Sequence, residues 1–319
     1  MLISRMSKTS FTINNFNPLS QNINLFRCFL WLASTGGGKT TGLYDFLFHH
    51  KDKFISGMAI AGSPESRAKW ETALPKGAVH YEYSKEIIDL TVKTQDARAN
   101  VILSERNEMT RGNPGNAPPF DKPRLILVDD YAHAPEIFKT ESVQRICQQG
   151  RHLGLSFHIC TQYYTIIEKK NRSNVGYCFL GKFPDESARK IIYESFFEIC
   201  GNRRVFNALY NKAISLGALL VVDNVSTSDK LQDRIFFYRV DKSRLPYQLG
   251  SPGWRKKIDK STKKIQSTSL KNEKSQIEKE ILERKLYMTS RKQKVLGYTK
   301  PDNEEKKEEE QEDTITVRI

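Results

Sequence analysis

The sequence predicts an α/β fold with a mostly parallel sheet and helices on both faces. Short apolar segments alternate with longer amphipathic ones through most of the chain, which is the pattern of parallel strands joined by helices. One apolar segment, Leu125–Val128, consists of four consecutive aliphatic residues, as is typical of a strand buried on both faces. The chain has 319 residues with 38% hydrophobic content, which is enough for one sizeable core plus appendages.

The individual elements follow from this alternation and from the glycines and prolines that interrupt it. The predicted strands are Phe29–Ala33, Ile55–Ala61, Leu125–Asp129, Phe157–Thr161, Cys178–Leu180 and Ala218–Val222. The predicted helices between them include Thr41–His50, Lys85–Arg98, Glu136–Gln149, Glu186–Ile199 and Val205–Ser215. The segment Arg111–Pro123 is rich in proline and glycine, so we expect a mobile loop there, just before the Leu125–Asp129 strand.

The segment that follows the first of these strands predicts a phosphate-binding loop. Three glycines precede Lys39 and allow the backbone to curl, so that successive N–H groups converge on a phosphate. Lys39 would reach the β- and γ-phosphates, and the Thr40 hydroxyl would bind Mg²⁺ at the start of a helix. The predicted nucleotide-binding residues are Ser34, Thr35, Gly36, Gly37, Gly38, Lys39, Thr40 and Thr41.

Two carboxylates at the end of the Leu125–Asp129 strand predict the rest of a magnesium-nucleotide site. Parallel strands place their carboxyl ends, and therefore their ligands, at one edge of the sheet. Asp129 is expected to hold Mg²⁺ together with Thr40, directly or through water. Asp130 lies one residue further out, where a carboxylate can polarise the attacking water.

Two further polar residues flank the Phe157–Thr161 strand. Gln162 follows its carboxyl end and is predicted to orient the attacking water or to sense the γ-phosphate. Arg151 precedes its amino end, too far from the nucleotide of its own subunit. We therefore expect Arg151 to act on the nucleotide of a neighbouring subunit, as an arginine finger.

Composition divides the chain into three predicted regions. Residues 1–25 are polar and suit a lead-in strand or a clasp, and residues 26–250 form the predicted ATPase domain. Residues 251–319 form a basic and then acidic tail: residues 255–294 carry 14 Lys/Arg against 5 Asp/Glu, and acidic side chains dominate residues 304–313. We expect this tail to be largely disordered, apart from a modest amphipathic helix around Ile277–Leu286.

Charge and cysteine content narrow the class of protein. A net charge of +14 indicates a polyanionic partner, and nucleic acid is favoured over a membrane because no apolar run is long enough to span one. Five widely spaced cysteines suit buried, reduced thiols and not disulfides or a metal site.

Together these motifs resemble the genome-packaging ATPases of large DNA viruses, the poxvirus-type members of the FtsK–HerA superfamily. The resemblance rests on Ala33–Thr41, Leu125–Asp130, Gly150–His152, Thr161–Tyr164 and Lys170–Asn174. It covers about residues 25–240. The sequence departs from the family pattern where Ala33 replaces the usual first glycine and where Asp130 stands at a position often held by Glu.

The resemblance implies a RecA-like P-loop NTPase core that uses ATP and Mg²⁺. It further implies a homo-oligomeric ring, a hexamer or pentamer, that threads double-stranded DNA into a preformed capsid at a capsid vertex, with an arginine supplied in trans. Such a protein works without a membrane, in the host cytoplasm at the virus factory, and can also be carried in the virion.

Three alternatives remain open at this point. One is another DNA pump of the same superfamily, for plasmid mobilisation or chromosome segregation. A second is a scaffold that binds DNA in a nucleotide-dependent way without hydrolysis. A third is a small-molecule kinase or a GTPase, which is disfavoured because Asn211–Ile214 lacks the aspartate of a guanine-binding motif and lies in a predicted helix.

Overall fold

The computed structural model describes residues 12–19, 23–109, 120–131 and 135–265. The predictions for the first eleven residues, for most of the Arg111–Pro123 loop and for the tail beyond residue 265 lie outside the described residues. The part described up to Thr262 belongs to one compact unit.

The described chain forms nine strands and seven main helices. The strands are β1 (Asn14–Asn15), β2 (Cys28–Leu32), β3 (Ser56–Ala61), β4 (Val79–His80), β5 (Arg124–Asp129), β6 (Leu155–Thr161), β7 (Val175–Leu180), β8 (Leu219–Asp223) and β9 (Ile235–Tyr238). The helices are α1 (Lys39–His49), α2 (Pro64–Ala73), α3 (Lys85–Met109), α4 (Glu141–Gln149), α5 (Lys169–Arg172), α6 (Glu186–Phe196) and α7 (Arg203–Ser215). A further helix begins at residue 252.

All nine strands belong to one sheet in the order β1-β9-β8-β7-β2-β6-β5-β3-β4. Every neighbouring pair is parallel except β7 with β8 and β8 with β9, which are antiparallel. The strand that leads into the glycine-rich loop, β2, lies between β6 and β7 near the middle of the sheet. The predicted fold class, a mostly parallel sheet with helices on both faces, is confirmed.

Helices cover the sheet on both faces because the central strands alternate their side chains between two apolar cores. Phe29 and Trp31 of β2 belong to one core, into which α1 and α2 pack Phe46 and Trp70. Leu30, the residue between them, belongs to the other core. That core is built with helices α3, α4, α6 and α7. Burial of both faces accounts for the continuous apolar runs in the sequence.

The structure differs from the sequence-based elements in several places, which include the short elements β4 and α5 and the helix that begins at residue 252, within the predicted tail. Helix α2 and strand β9 were not predicted, and α3 continues eleven residues beyond the predicted end at Arg98, to Met109. The predicted helix Glu136–Gln149 is two elements, because Thr140 adopts an extended backbone between a 3-10 turn and α4. The predicted boundaries of the strands are otherwise within three residues of those observed.

All five cysteines are buried and unpaired, as predicted. Burial raises the pKa of Cys178 and raises that of Cys200 to about 12, so both remain protonated thiols at neutral pH. Among the described helices, none combines the length and the apolar character that crossing a membrane requires.

Candidate nucleotide-binding site

The residues predicted to bind nucleotide come together at the carboxyl edge of the sheet. The glycine-rich loop leaves β2, Asp129 ends β5, and Gln162 follows β6, the strand between them. On the other side of β2, the chain leaves β7 through Gly181 and Lys182, and the Lys182 carbonyl accepts hydrogen bonds from the Ser34 N–H and hydroxyl. Four adjacent parallel strands therefore supply one site, as α/β proteins do.

The loop has the backbone shape of a phosphate cradle. Gly36 and Gly38 have φ angles of 71° and 91°, in the left-handed region that favours glycine. Gly38 caps α1, whose first turn starts at Lys39 and presents N–H groups that have no acceptor within the helix. The Lys39 Nζ donates to the Ser34 carbonyl at 3.1 Å, which holds the ammonium group across the loop. Both the helix dipole and the lysine favour an anion here.

Ala33, the departure from the family pattern, is accommodated by two glycines. A Cβ added to Gly37 would lie 2.7 Å from the Ala33 methyl, and one added to Gly181 would lie 2.9 Å from it. The methyl therefore fills space that neighbouring side chains leave open. The replacement changes packing under the loop and removes no functional group.

Asp129 is fully buried, and three side chains donate hydrogen bonds to its carboxylate. Oδ1 accepts from the Thr40 hydroxyl at 2.9 Å. Oδ2 accepts from the Ser66 hydroxyl at 2.6 Å and from the Trp70 indole N–H at 2.8 Å. A buried charge requires such partners, and here they fix both the position and the orientation of the carboxylate.

Asp130 differs from Asp129 in both exposure and backbone. It is exposed at the edge of the site, and its φ of 56° is in the left-handed region. Its carbonyl lies so close to Gly62 that a Cβ there would be 2.0 Å from the oxygen, so the chain can turn here only because residue 62 is glycine. This turn ends β5 and sets Asp130 beyond the buried Asp129 carboxylate.

Gln162 contacts the glycine-rich loop directly. Its side-chain oxygen accepts a hydrogen bond from the Thr35 hydroxyl at 3.1 Å. This contact places the Gln162 amide beside the loop that would enclose the phosphates. The position is the one that a residue responding to the γ-phosphate must occupy, and the role remains a prediction.

A cleft of about 550 Å³ extends from the loop along the sheet edge. Its phosphate end is lined by the loop, Thr40, Thr41 and Lys182. Its other end is largely apolar, where α7, β8 and the segment after β9 meet; the lining residues there are Ile214, Gly217, Ala218, Leu219, Val240 and Lys242. The volume and the division into a cationic and an apolar end suit a nucleotide.

The residues present fit ATP with Mg²⁺. Mg²⁺ prefers oxygen ligands, and the Thr40 hydroxyl and Asp129 carboxylate are already adjacent. Bound Mg²⁺ would neutralise charge on the phosphates, while Lys39 and the helix N–H groups would hold the same oxygens. Among the residues the structure describes, no cluster of three or more His, Cys, Asp or Glu side chains forms a separate metal site.

Arg151 lies at the opposite edge of the sheet. It lines a small cavity of about 180 Å³ with Arg27 and with the first residues of β2 and β7, Cys28 and Val175. From there to the Gln162 end, β6 extends roughly 20 Å at ~3.3 Å per residue, which is well beyond the reach of an arginine side chain. Arg151 and the predicted nucleotide site of the same chain are therefore separate, as expected.

Sequence reasoning missed the residues that hold Asp129. Ser66 and Trp70 belong to α2, which was not predicted, although Ser63 followed by Pro64 is a recognisable helix start: the Ser63 hydroxyl accepts from the Ser66 N–H. It also missed Lys69, whose Nζ is 3.4 Å from the Thr41 hydroxyl. Burial lowers the pKa of Lys69, and Asp129 acts in the opposite direction.

No model of a known protein family matches the chain. Four curated proteins are related to it, all from large DNA viruses. Uncharacterized protein 075L of Invertebrate iridescent virus 6 is 25% identical over 233 residues, 72% of this chain and 84% of that protein. Uncharacterized protein L437 of Acanthamoeba polyphaga mimivirus is 22% identical over 209 residues, 65% of this chain and 70% of that protein.

Solved ATPase structures resemble the fold. The genome packaging NTPase B204 of Sulfolobus turreted icosahedral virus 2 has a TM-score of 0.43 at 13% identity, with 69% of this chain and all of B204 covered. The conjugation coupling protein TcpA of pCW3 has a TM-score of 0.45 at 18% identity, and the match covers 70% of this chain and 62% of the TcpA chain. EssC of Geobacillus thermodenitrificans has a TM-score of 0.41 at 13% identity, and the match covers 52% of this chain and 34% of the EssC chain.

The order β7-β2-β6-β5-β3, with the glycine-rich loop after β2 and Asp129 at the end of β5, identifies the fold. The chain has a P-loop NTPase fold.

Proposed function

We propose that this protein is an ATPase that moves double-stranded DNA, and that it packages a viral genome into a preformed capsid. The observation that carries the ATPase part is that Lys39 and Thr40 line one end of a nucleotide-sized cleft and that the Thr40 hydroxyl is hydrogen-bonded to Asp129. Asp130 serves as the base that polarises the attacking water, and Gln162 orients it.

The DNA part rests on charge and on the relatives. The net charge of +14 favours a polyanion, and phosphate contacts without base readout suit a motor that must move any sequence. The relatives come from large DNA viruses, which must fill a capsid with DNA. The resemblance of the motifs to packaging ATPases supports this direction of transport, with the protein assembled as a homo-oligomeric ring at a capsid vertex.

The test is ATP turnover by the purified full chain, with Mg²⁺, measured with and without duplex DNA. We expect turnover in the presence of Mg²⁺ that rises several-fold on addition of duplexes of unrelated sequence. If protein shown to bind ATP has no turnover in either condition, the motor hypothesis fails and the non-hydrolysing scaffold is favoured. If the rate of turnover is the same with and without DNA, the protein is an ATPase that acts on a partner other than DNA.

Packaging and other DNA pumping are separated by depleting the protein during infection by the virus that encodes it. A packaging ATPase leaves assembled capsids without DNA, whereas a segregation or mobilisation pump leaves capsids filled. Electron microscopy of purified particles distinguishes the two outcomes.

Arg151 gives a prediction about assembly. We expect Arg151→Ala protein to fold and to bind ATP but to hydrolyse it about 10³-fold more slowly, because the arginine finger of each subunit is lost. Mixing it with Lys39→Ala protein should restore part of the activity, since one variant offers an intact nucleotide site and the other an intact arginine.

The matched control for Arg151→Ala is Arg204→Ala, which removes an exposed arginine of α7. This variant should keep full activity by itself. Co-assembly of the mixed variants is checked by pull-down of a tagged copy. If the variants co-assemble and the mixture stays inactive, Arg151 has a structural role only.

A further inference from the structure

A second and larger cleft, of about 770 Å³, lies at the edge of the sheet opposite the nucleotide site. Ser56 and Arg124, the first residues of β3 and β5, line it, so it opens at the amino ends of these strands. The far end of β5 carries Asp129, roughly 17 Å away at ~3.3 Å per residue. The cleft is therefore a separate site, and the nucleotide-binding residues do not reach it.

Four cations from three parts of the fold line this cleft. Arg98 comes from α3, Lys122 and Arg124 from the segment that leads into β5 and its first residue, and Lys257 from the helix that begins at residue 252. Among the described lining residues, Asp121 is the only carboxylate. The cleft thus carries an excess of three positive charges.

These cations are not neutralised within the part of the chain that the structure describes. None of the four lies within 4 Å of a carboxylate there. Arg124 is half-buried, and its Nε donates to the Ser56 hydroxyl at 2.8 Å, a neutral partner. Burial and the neighbouring Arg98 lower the pKa of Arg124, as expected where like charges are held together without a counter-ion.

Arg124 is half-buried and has no carboxylate partner in the described part of the chain, so an anionic ligand in the cleft would stabilise it, and the exposed Arg98, Lys122 and Lys257 would add to the attraction. Guanidinium and ammonium groups that come from separate elements suit a ligand with several spaced anionic groups. Arginine in particular matches phosphate oxygens with paired N–H donors. The half-buried Trp254 and the Phe120 ring add apolar surface to the same walls, which suits the sugar part of a nucleic acid backbone.

We propose that this cleft binds the phosphodiester backbone of DNA, through Arg98, Lys122, Arg124 and Lys257. This inference rests on the proposed function, since it assigns the surface that grips the transported DNA. It also joins the two sites physically: β5 carries Arg124 at its DNA end and Asp129 at its nucleotide end.

The experiment compares the DNA affinity of two double variants, each of which removes two positive charges. Arg98→Ala with Lys257→Ala removes two cations that line the cleft. Lys93→Ala with Lys256→Ala removes two exposed cations from the same two helices that do not line it. Binding of a short mixed-sequence duplex is followed by fluorescence anisotropy at salt concentrations from roughly 50 to 200 mM.

We expect the cleft variant to bind DNA about tenfold more weakly, and its slope of log affinity against log salt to fall by about 1–2, since each lost phosphate contact removes ~0.9. The matched variant should change the slope much less. Equal losses in both variants would reduce the effect to overall charge and overturn the cleft assignment. Thermal unfolding of both variants excludes a folding defect.

Two other outcomes separate this inference from the proposed function. If wild-type protein binds DNA and the cleft variant binds it equally well, DNA transport stands and the cleft assignment fails. If wild-type protein hydrolyses ATP but binds no DNA, the proposed function itself fails. If the cleft variant loses binding to a synthetic peptide of residues 304–313 but binds DNA as tightly as wild-type protein does, the cleft binds an acidic protein segment instead of DNA.

Discussion

Lys39→Ala protein is expected to fold normally and to bind ATP far more weakly than wild-type protein. The Lys39 ammonium group is held across the glycine-rich loop by the Ser34 carbonyl, at the point where the phosphates would lie. Removing a charged donor from such a site costs about 1.5–3 kcal/mol, or roughly 10- to 150-fold in Kd. Turnover should fall further, because the same charge is needed as the phosphoryl group leaves.

The measurement is the rise in Tm on adding ATP with Mg²⁺. A ligand that binds only the folded protein stabilises it by an amount that grows with the logarithm of its concentration over Kd, so at an ATP concentration a few times the wild-type Kd the wild-type protein should show a clear shift and the variant almost none. Lys212→Ala, which removes an exposed lysine of α7, is the matched control and should keep the full shift. A full shift in the Lys39 variant would mean that the nucleotide binds elsewhere.

Asp130→Asn protein should bind ATP as tightly as wild-type protein and hydrolyse it about 10²–10⁴-fold more slowly. The substitution removes the charge that polarises water and keeps the shape of the side chain. The backbone supports this choice of variant, because Asn tolerates the left-handed conformation that residue 130 adopts, whereas Ala would add strain. A stall in the variant therefore reports on chemistry and not on folding.

Single-turnover kinetics with ATP, together with equilibrium binding, distinguish this result from others. Asp229→Asn, an exposed loop aspartate, provides the control with the same change of charge. Weakened binding in the Asp130 variant would place the residue among the magnesium ligands. Unchanged turnover in the Asp130 variant would show that another group acts as the base.

The sequence was sufficient to predict the fold class and the phosphate end of the site. The signals there are local: three glycines before Lys39, and an aliphatic run ending in Asp129, each carry a backbone requirement that few other structures share. Gln162 could be placed beside the loop because parallel strands end at a common edge. The position of Arg151 at the other edge followed from the same rule.

The rest of the site depends on contacts between distant segments, which the local pattern does not encode. Ser66 and Trp70 reach Asp129 across 63 and 59 residues, and α2 escaped prediction because its sequence has little amphipathic character. Strand β9 was missed because Ile235–Tyr238 is only four residues long, and its antiparallel pairing depends on β8. The apolar end of the nucleotide cleft, which the segment after β9 helps to form through Val240, was missed with it.

Both outer strands of the sheet, β1 and β4, are only two residues long. β1 pairs with Phe236 and Phe237, and β4 pairs with Ala59 and Ile60. Edges this short offer little backbone for another strand to extend, which is how proteins avoid uncontrolled growth of their sheets.

In the proposed homo-oligomer, neighbouring copies would therefore meet through side chains, at strand ends and helix surfaces, and not through a shared backbone ladder. An interface made of side chains can tighten and loosen as a ligand comes and goes, whereas a continuous sheet would have to break many hydrogen bonds at once. Short edge strands would thus leave the contact between neighbouring copies of the proposed ring free to reverse when the bound ligand changes.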